Sequence, residues 1–258
     1  TPILCVEQQD LDDATRWLEL EAAKTGSEEL VLQAITKVYD VFPRGRSPNK
    51  FVQDGLAGFP LIASKPGAVD RFLGCLLGLA VGDAVGTTVE FEARGSFSPL
   101  TDMVGGGPFG LEPGQWTDDT SMALCLATSL LKRQGFDARD QMERYCRWRG
   151  DGYLSITGAC FDIGTTTSAA LRRYGRTGEP LAGSTDANAS GNGSIMRLAP
   201  IALFFYPDHA DVEHYSAESS RTTHGAAECV DACRLLGVTI ATALSATTKE
   251  AVLAAGTA

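Results

Sequence analysis

Residues 72–86 read FLGCLLGLAVGDAVG, and this stretch decides the fold class. Apolar side chains fill the positions between four glycines that recur every four residues: Gly74, Gly78, Gly82 and Gly86. This spacing places the glycines on one face of a helix. A glycine costs a helix interior about 1 kcal/mol relative to alanine, so four of them predict a strip where a neighbouring helix packs closely.

The remainder of the chain carries the same helical periodicity. Apolar positions predict helices at about 68–85, 117–134, 137–149, 162–174, 194–206, 211–221 and 225–244. Gly- and Pro-rich loops join them, and no stretch shows the apolar and polar alternation of a strand. The predicted fold class is therefore all-α.

A change of composition divides the chain near residue 67. Residues 1–42 carry two amphipathic helical stripes, whereas residues 43–67 are rich in Pro, Gly and Ser. We expect an N-terminal helical extension over 1–66 and a compact domain over 67–258. The extension is interpreted as structural packing, a dimer contact, or a segment that inserts into another protein.

Charge and hydropathy narrow the range of partners. Asp plus Glu number 32 against 22 Lys plus Arg, and a net charge of -10 argues against nucleic acid. The longest apolar run, Phe72–Val81, is about half of the ~20 residues that a membrane-spanning helix needs. No basic segment followed by an apolar one opens the chain, so we expect a cytoplasmic, monomeric protein without a membrane span.

The seven cysteines are interpreted as reduced core thiols, because they are odd in number and scattered among apolar residues. Cys229 and Cys233 lie one helical turn apart and could clamp a metal. No histidine or further cysteine pair joins them at the spacing of a zinc site, which favours the core interpretation.

Thr117, Asp118 and Asp119 precede an apolar helical run. They suit a helix start, with Thr117 as the N-cap and two acids at the positive end of the dipole. The same two carboxylates and hydroxyl are oxygen donors of the kind that Mg²⁺ and Mn²⁺ prefer. Asp83 and Glu90 add two carboxylates where the first helix turns into a loop, a place where a charge usually only faces solvent.

Residues 190–197, SGNGSIMR, form a small polar loop that opens an apolar helix. Backbone N–H groups and the helix dipole can hold a phosphate in such a loop, although an ordinary Gly-rich turn has the same composition. His224, in RTTHG, is either a buried hydrogen-bonded histidine or a site residue. The sequence contains no P-loop motif and no nucleophile elbow, which argues against a kinase and a serine hydrolase.

Four segments in this order resemble the ADP-ribosylglycohydrolase family. They are LLGLAVGDAVG (residues 76–86) with Glu90, TDDT (117–120), GNGSIMR (191–197) and SRTTH (220–224). The resemblance implies a compact orthogonal multi-helix fold with a cleft for two divalent cations, Mg²⁺ or Mn²⁺. It also implies hydrolysis of the bond between ADP-ribose and a protein side chain, most often arginine.

The resemblance also implies roles for particular residues. Thr117, Asp118 and Asp119 match metal ligands, and Asp118 and Asp119 are expected to serve catalysis together with Glu90, the acid–base candidate. The expected substrate-binding residues are Gly191, Asn192, Gly193, Ser194 and His224. Phe161, Tyr153 and several other aromatic residues are equally eligible to stack on adenine.

The chain departs from the family pattern near its end. The family carries a second acidic cluster, Asp-x-Asp-Thr, and no such motif follows His224. We therefore expect either that the domain is incomplete at its C-terminal end or that the second metal site is absent. Asp162 could supply a replacement ligand, although capping of the following helix is the favoured interpretation.

Two further functions stay open beside hydrolysis. Some hydrolases of this group resemble antidotes to ADP-ribosyltransferase toxins, so residues 1–66 could bind and block such a toxin as an immunity protein. A catalytically inactive relative that only senses ADP-ribose is the third possibility.

Overall fold

The computed structural model describes residues 68–255, so the predicted extension 1–66 and its boundary lie outside the described residues. The described part holds eight α-helices and no strand: α1 (Ala68–Gly86), α2 (Asp118–Arg133), α3 (Ala138–Asp151), α4 (Thr165–Thr177), α5 (Ala199–Phe205), α6 (His209–Arg221), α7 (Ala227–Ala243) and α8 (Lys249–Ala254). Two short 3₁₀ turns, Thr87–Val89 and Ala187–Ala189, lie between them. The predicted all-α class is confirmed.

The α2 helix lies at the centre of the domain. Its residues from Met122 to Leu131 are nearly all buried, and it packs against α1, α3 and α5. Large side chains from the flanking segments, Trp116, Tyr145 and Trp148, complete this core and are almost inaccessible to solvent. Such burial on all sides fixes where α2 begins, and its first turn carries Asp118 and Asp119.

Among residues 68–255, no neighbouring element packs against the glycine row of α1. The buried face of α1 is the row Phe72, Leu76, Ala80 and Ala84. The glycines stand two residues further along, which is about 200° around the helix and therefore on the opposite side. A Cβ atom built on any of the four glycines meets no atom of the described residues within 4 Å.

The stretch Arg71–Val89 is long and apolar enough to cross a membrane by length and composition alone. Arg71–Val89 is longer than the apolar run Phe72–Val81, on which the expectation of no membrane span is based. Part of its surface belongs to the protein core, since Phe72 and Leu76 are buried there. Its Asp83 side chain also makes hydrogen bonds to the start of α2, as described below.

The six described cysteines are free thiols. Cys229 and Cys233 are buried on α7, where their sulfurs contact Gly191 O at 3.5 Å and Ser194 Oγ at 3.4 Å. These contacts agree with the interpretation as core thiols. Cys5 lies outside the described residues.

Candidate active site

Asp83 of α1 caps the first turn of α2. Its Oδ1 accepts from Thr117 N at 3.0 Å and Thr117 Oγ1 at 2.8 Å. Its Oδ2 accepts from Thr120 N at 3.0 Å and Thr120 Oγ1 at 2.6 Å. Thr117 occupies the N-cap position but makes no side-chain capping hydrogen bond, so the prediction that its hydroxyl caps the helix is wrong. The capping acceptor is a carboxylate 34 residues earlier in the chain.

Four other carboxyl groups meet beside this capped turn, and we call them the carboxylate cluster: Glu90, Asp118, Asp119 and Asp162. The carboxyl group of Asp118 interacts with those of Asp119 and Asp162, and Asp162 interacts with Glu90; each pair can form a hydrogen bond when one of its two groups holds a proton. Thr117 belongs to the same neighbourhood, since its Oγ1 lies 3.5 Å from Asp119 Oδ2. The structure therefore brings together the predicted metal and acid–base residues and adds Asp162.

Burial raises the pKa of every member of the carboxylate cluster. Desolvation is the largest cause at each position, and repulsion between neighbouring carboxylates adds to it. For Asp118 the repelling charges are Asp119, Asp162 and Asp83. Carboxylates packed this closely require a shared proton or a cation between them.

Asp162 joins the cluster because of an unusual backbone conformation. Its φ is 56°, in the left-handed region that Asp tolerates better than most residues. The cap of α4 is Gly164, and the helix begins at Thr165 instead of 162, so the favoured prediction of Asp162 as a helix cap is wrong. Its side chain is used instead for the hydrogen bonds to Asp118 and Glu90.

Glu90 follows the 3₁₀ turn Thr87–Val89, and a glycine loop holds this turn in place. Glu90 N donates to Thr87 O at 3.3 Å, and Thr88 Oγ1 donates to Gly105 O at 3.1 Å. Gly107 has a φ of 66°, and a Cβ there would collide with Thr87 O. The glycine is required because any side chain would push this turn, and Glu90 with it, out of position.

Three aromatic rings lie beside the cluster. Phe109 bridges Phe91 and Phe161, with ring centroids 6.3 Å and 5.3 Å away. Phe91 follows Glu90 at a φ of 65° and is 80% exposed, and Phe161 precedes Asp162. Tyr153, the other aromatic residue considered for adenine, is buried and accepts from Arg144 Nη1 at 3.1 Å, so it is not available for stacking.

The loop at 191–194 lies against His224. Gly191 and Asn192 are exposed, whereas Gly193 and Ser194 are buried. Ser194 Oγ accepts from Ser220 Oγ at 2.9 Å, so this side chain serves packing behind the loop. The following helix, α5, begins at Ala199 instead of 194 and has seven residues, which corrects the expectation that a helix dipole opens directly at this loop.

The first turn of α4 connects the loop to the carboxylate cluster. Asp162 lies just before this helix, and Thr166 Oγ1 donates to Ala189 O at 3.3 Å. A Cβ on Gly193 would lie 2.9 Å from Thr167 Oγ1, so the loop touches the same turn. The predicted metal and substrate-binding residues therefore lie on two sides of one helix start.

The donor set suits a hard divalent cation. Carboxylates and a threonine hydroxyl are the oxygen ligands that Mg²⁺ and Mn²⁺ prefer, and their crowding is unfavourable without a counter-charge. In the described part of the chain, no three His, Cys, Asp or Glu side chains already enclose a metal position. The residues fit the chemistry of the ion, and the ligand set itself stays a prediction.

This chain is similar to known proteins of one family. The family model of the ADP-ribosylglycohydrolases matches residues 64–258. ADP-ribosylarginine hydrolase Tri1 of Pseudomonas putida (strain GB-1) is 46% identical over 187 residues, which cover 72% of this chain and 50% of that protein. The ADP-ribosyl-[dinitrogen reductase] glycohydrolase of Rhodospirillum rubrum is 38% identical over 176 residues, covering 67% and 57% of the two chains.

A solved structure described as an ADP-ribosylglycohydrolase-related protein complex has a TM-score of 0.63 and 46% identity. The match covers 73% of this chain and 61% of that chain. The chain spans about half the length of the curated relatives it matches. The helical fold, the family model and these relatives agree, and the chain belongs to the ADP-ribosylglycohydrolase family.

Proposed function

We propose that this protein hydrolyses the glycosidic bond between ADP-ribose and a modified protein side chain, with arginine as the acceptor. The observation that carries the proposal is the pairing of the carboxylate cluster with the 191–194 loop and His224 across the first turn of α4. The curated relatives named as ADP-ribosylarginine hydrolases support arginine.

Thr117, Asp118 and Asp119 would hold Mg²⁺ or Mn²⁺, and Asp162 stands beside them as a further ligand. A bound divalent cation orients the ribose hydroxyls and polarises water. Cleavage at C1″ builds positive charge on the ribose ring, and neighbouring carboxylates stabilise this charge.

Glu90 is the proposed acid–base residue. Its pKa is raised, chiefly by burial, so it can hold a proton closer to neutral pH than an exposed glutamate does. It would donate this proton to the departing guanidino nitrogen, or take one from the attacking water. Phe91 and the carboxylates of Glu90 and Asp162 would receive the acceptor side chain, since a guanidinium favours aromatic faces and carboxylates together.

The first test is release of ADP-ribose from an arginine-ADP-ribosylated protein by the 258-residue chain. With Mg²⁺ or Mn²⁺ we expect turnover, and with excess EDTA we expect a loss of at least about a hundredfold, since a divalent cation supplies much of the charge stabilisation. EDTA already saturated with Mg²⁺ is the control and should leave the rate unchanged. No release with either metal would refute the hydrolase proposal and favour the immunity account, whose segment 1–66 lies outside the described residues.

Replacing Phe91 by Ala tests the acceptor site. We expect KM for an ADP-ribosylated arginine substrate to rise about tenfold with little change in kcat, the effect of losing one partly desolvated cation–π contact. Phe97→Ala removes a ring that is 39% exposed, and it should change neither constant. Equal effects of the two variants would exclude Phe91 as an acceptor contact.

A further inference from the structure

A buried guanidinium lies behind the substrate loop. Arg197 has no accessible surface, and its Nη1 donates to Gly193 O at 2.8 Å. Its Cζ lies 4.6 Å from the centroid of the Tyr145 ring. Within the described residues, no carboxylate forms an ion pair with it, and its Nε has no hydrogen-bond partner. A charge buried in this way is costly, so its retention at this place requires a reason.

Two successive hydrogen bonds connect the guanidinium of Arg197 to the ring of His224. Arg197 Nη2 donates to Thr223 Oγ1 at 2.7 Å, and Thr223 Oγ1 lies 2.9 Å from His224 Nδ1. Both Thr223 and His224 are buried. A backbone hydrogen bond from His224 N to Ser220 O at 2.7 Å fixes the residue from the other side.

The direction of the second hydrogen bond follows from the first. A guanidinium can only donate, so the Thr223 oxygen accepts from Arg197 and its own proton needs an acceptor. The acceptor within reach among the described residues is Nδ1 of His224. If Nδ1 carried the ring proton instead, the buried hydroxyl proton of Thr223 would have no acceptor, which is unfavourable. Thr223 therefore donates to Nδ1, and the ring proton of His224 lies on Nε2.

The Nε2 edge of the ring faces the substrate loop. A Cβ built on Gly193 would lie 2.7 Å from His224 Cε1 and 3.2 Å from Nε2, and one on Gly191 would lie 3.5 Å from Nε2. Glycine at 193 is thus required for the imidazole to approach the loop this closely. A proton on Nε2 points into the loop that is expected to hold the ligand.

We propose that Arg197 and Thr223 are positioning residues that hold His224 as a neutral imidazole with its proton on Nε2. This Nε2–H donates to the bound ligand, at a phosphate or ribose oxygen of an ADP-ribose group. The identity of the ligand rests on the proposed function, whereas the tautomer does not. Burial and the nearby Arg197 charge both lower the pKa of His224, to about 4, so the ring stays neutral at physiological pH.

The test is the ¹⁵N NMR spectrum of histidine-labelled protein, which has three histidines in all: His209, His214 and His224. One ring is expected to show an unprotonated Nδ1 and a protonated Nε2 from pH 8 down to about pH 5. Its disappearance in His224→Gln assigns the signal. A His224 ring with the proton on Nδ1, or one that titrates near pH 6.5, would overturn the proposal.

Thr223→Val removes the hydroxyl at nearly constant volume and should let the Nδ1–H tautomer appear, and Thr223→Ser should restore the original pattern. Thr222→Val is the matched control, because Thr222 Oγ1 also accepts from Arg197 Nη2, at 3.3 Å, but does not contact His224. An unchanged tautomer in Thr223→Val would overturn the proposed relay, the hydrogen-bond chain from Arg197 through Thr223 to His224.

Binding of ADP-ribose, measured by calorimetry with the same variants, tests the ligand contact. We expect about a tenfold loss of affinity in Thr223→Val and none in Thr223→Ser, the effect of one misaligned hydrogen bond. Equal affinities in all variants would overturn the contact from Nε2. If the tautomer is as expected while the wild-type chain binds no ADP-ribose, the proposed function fails and the relay stands.

Discussion

Asp118→Asn and Asp119→Asn are each expected to lower the rate of ADP-ribose release at least about a hundredfold without unfolding the protein. Changes beyond the direct ligands of a metal already cost roughly 10- to 100-fold, so loss of a direct ligand should cost more. Neither carboxylate is needed to cap the N-terminus of α2, because Asp83 accepts the hydrogen bonds of its first turn. Circular dichroism and the release assay at saturating Mn²⁺ measure the two effects separately.

A second readout identifies the cause of the lost activity. A cation at a free concentration of about 100 times its Kd stabilises the wild-type fold by about 2.7 kcal/mol, and this raises Tm by several degrees. The two variants should lose most of this Mn²⁺-dependent shift. Asp211→Asn is the control, since Asp211 also lies in the first turn of a helix but is exposed on α6. Full activity or a full metal shift in the Asp118 and Asp119 variants would exclude them as ligands.

Asp83→Ala is expected to destabilise the fold by about 4 kcal/mol, the lower end of the cost of four lost hydrogen bonds. The change leaves two backbone N–H groups and two hydroxyls of the α2 start without their acceptor, and each such partly buried donor costs about 1–3 kcal/mol when no water replaces it. Chemical denaturation followed by circular dichroism measures the effect. Asp83→Asn keeps one acceptor oxygen and should lose about half as much.

The control for Asp83 is Asp208→Ala, which removes a local cap. Asp208 accepts from Ala210 N and Asp211 N at 3.0 Å on the surface of α6. Loss of such a cap costs about 1 kcal/mol. If Asp83→Ala costs no more than Asp208→Ala, the contact between α1 and α2 does not hold the site in place.

Local sequence patterns predict the helices well, because periodicity reports which face of each segment is buried. The apolar positions between Phe72 and Val85 predict α1 as a helix, and the apolar run after Asp119 predicts α2. The same patterns fail at the start of α5. Ile195 and Met196 continue the apolar pattern of the helix, but the hydrogen bond from Arg197 to Gly193 O and the close approach of His224 to Gly193 accompany turns over 193–197.

The motifs also predict much of the candidate site. The residues expected from the family resemblance, Thr117, Asp118, Asp119 and Glu90, lie together in the structure. The sequence favours Asp162 as an N-cap over a metal ligand, because an Asp before a helical segment is a common N-cap. Its positive φ, which directs the side chain to Asp118, depends on packing that no local pattern records.

The sequence by itself determined the helical class, the family and most residues of the candidate site, because these depend on residue types at short spacing. Only the tertiary structure decided what each polar group binds. Asp83 caps a helix 34 residues away, and Arg197 directs the ring proton of His224 through Thr223. The physical reason is that a buried donor or acceptor must find a partner wherever the fold supplies one, and distance along the chain does not enter that requirement.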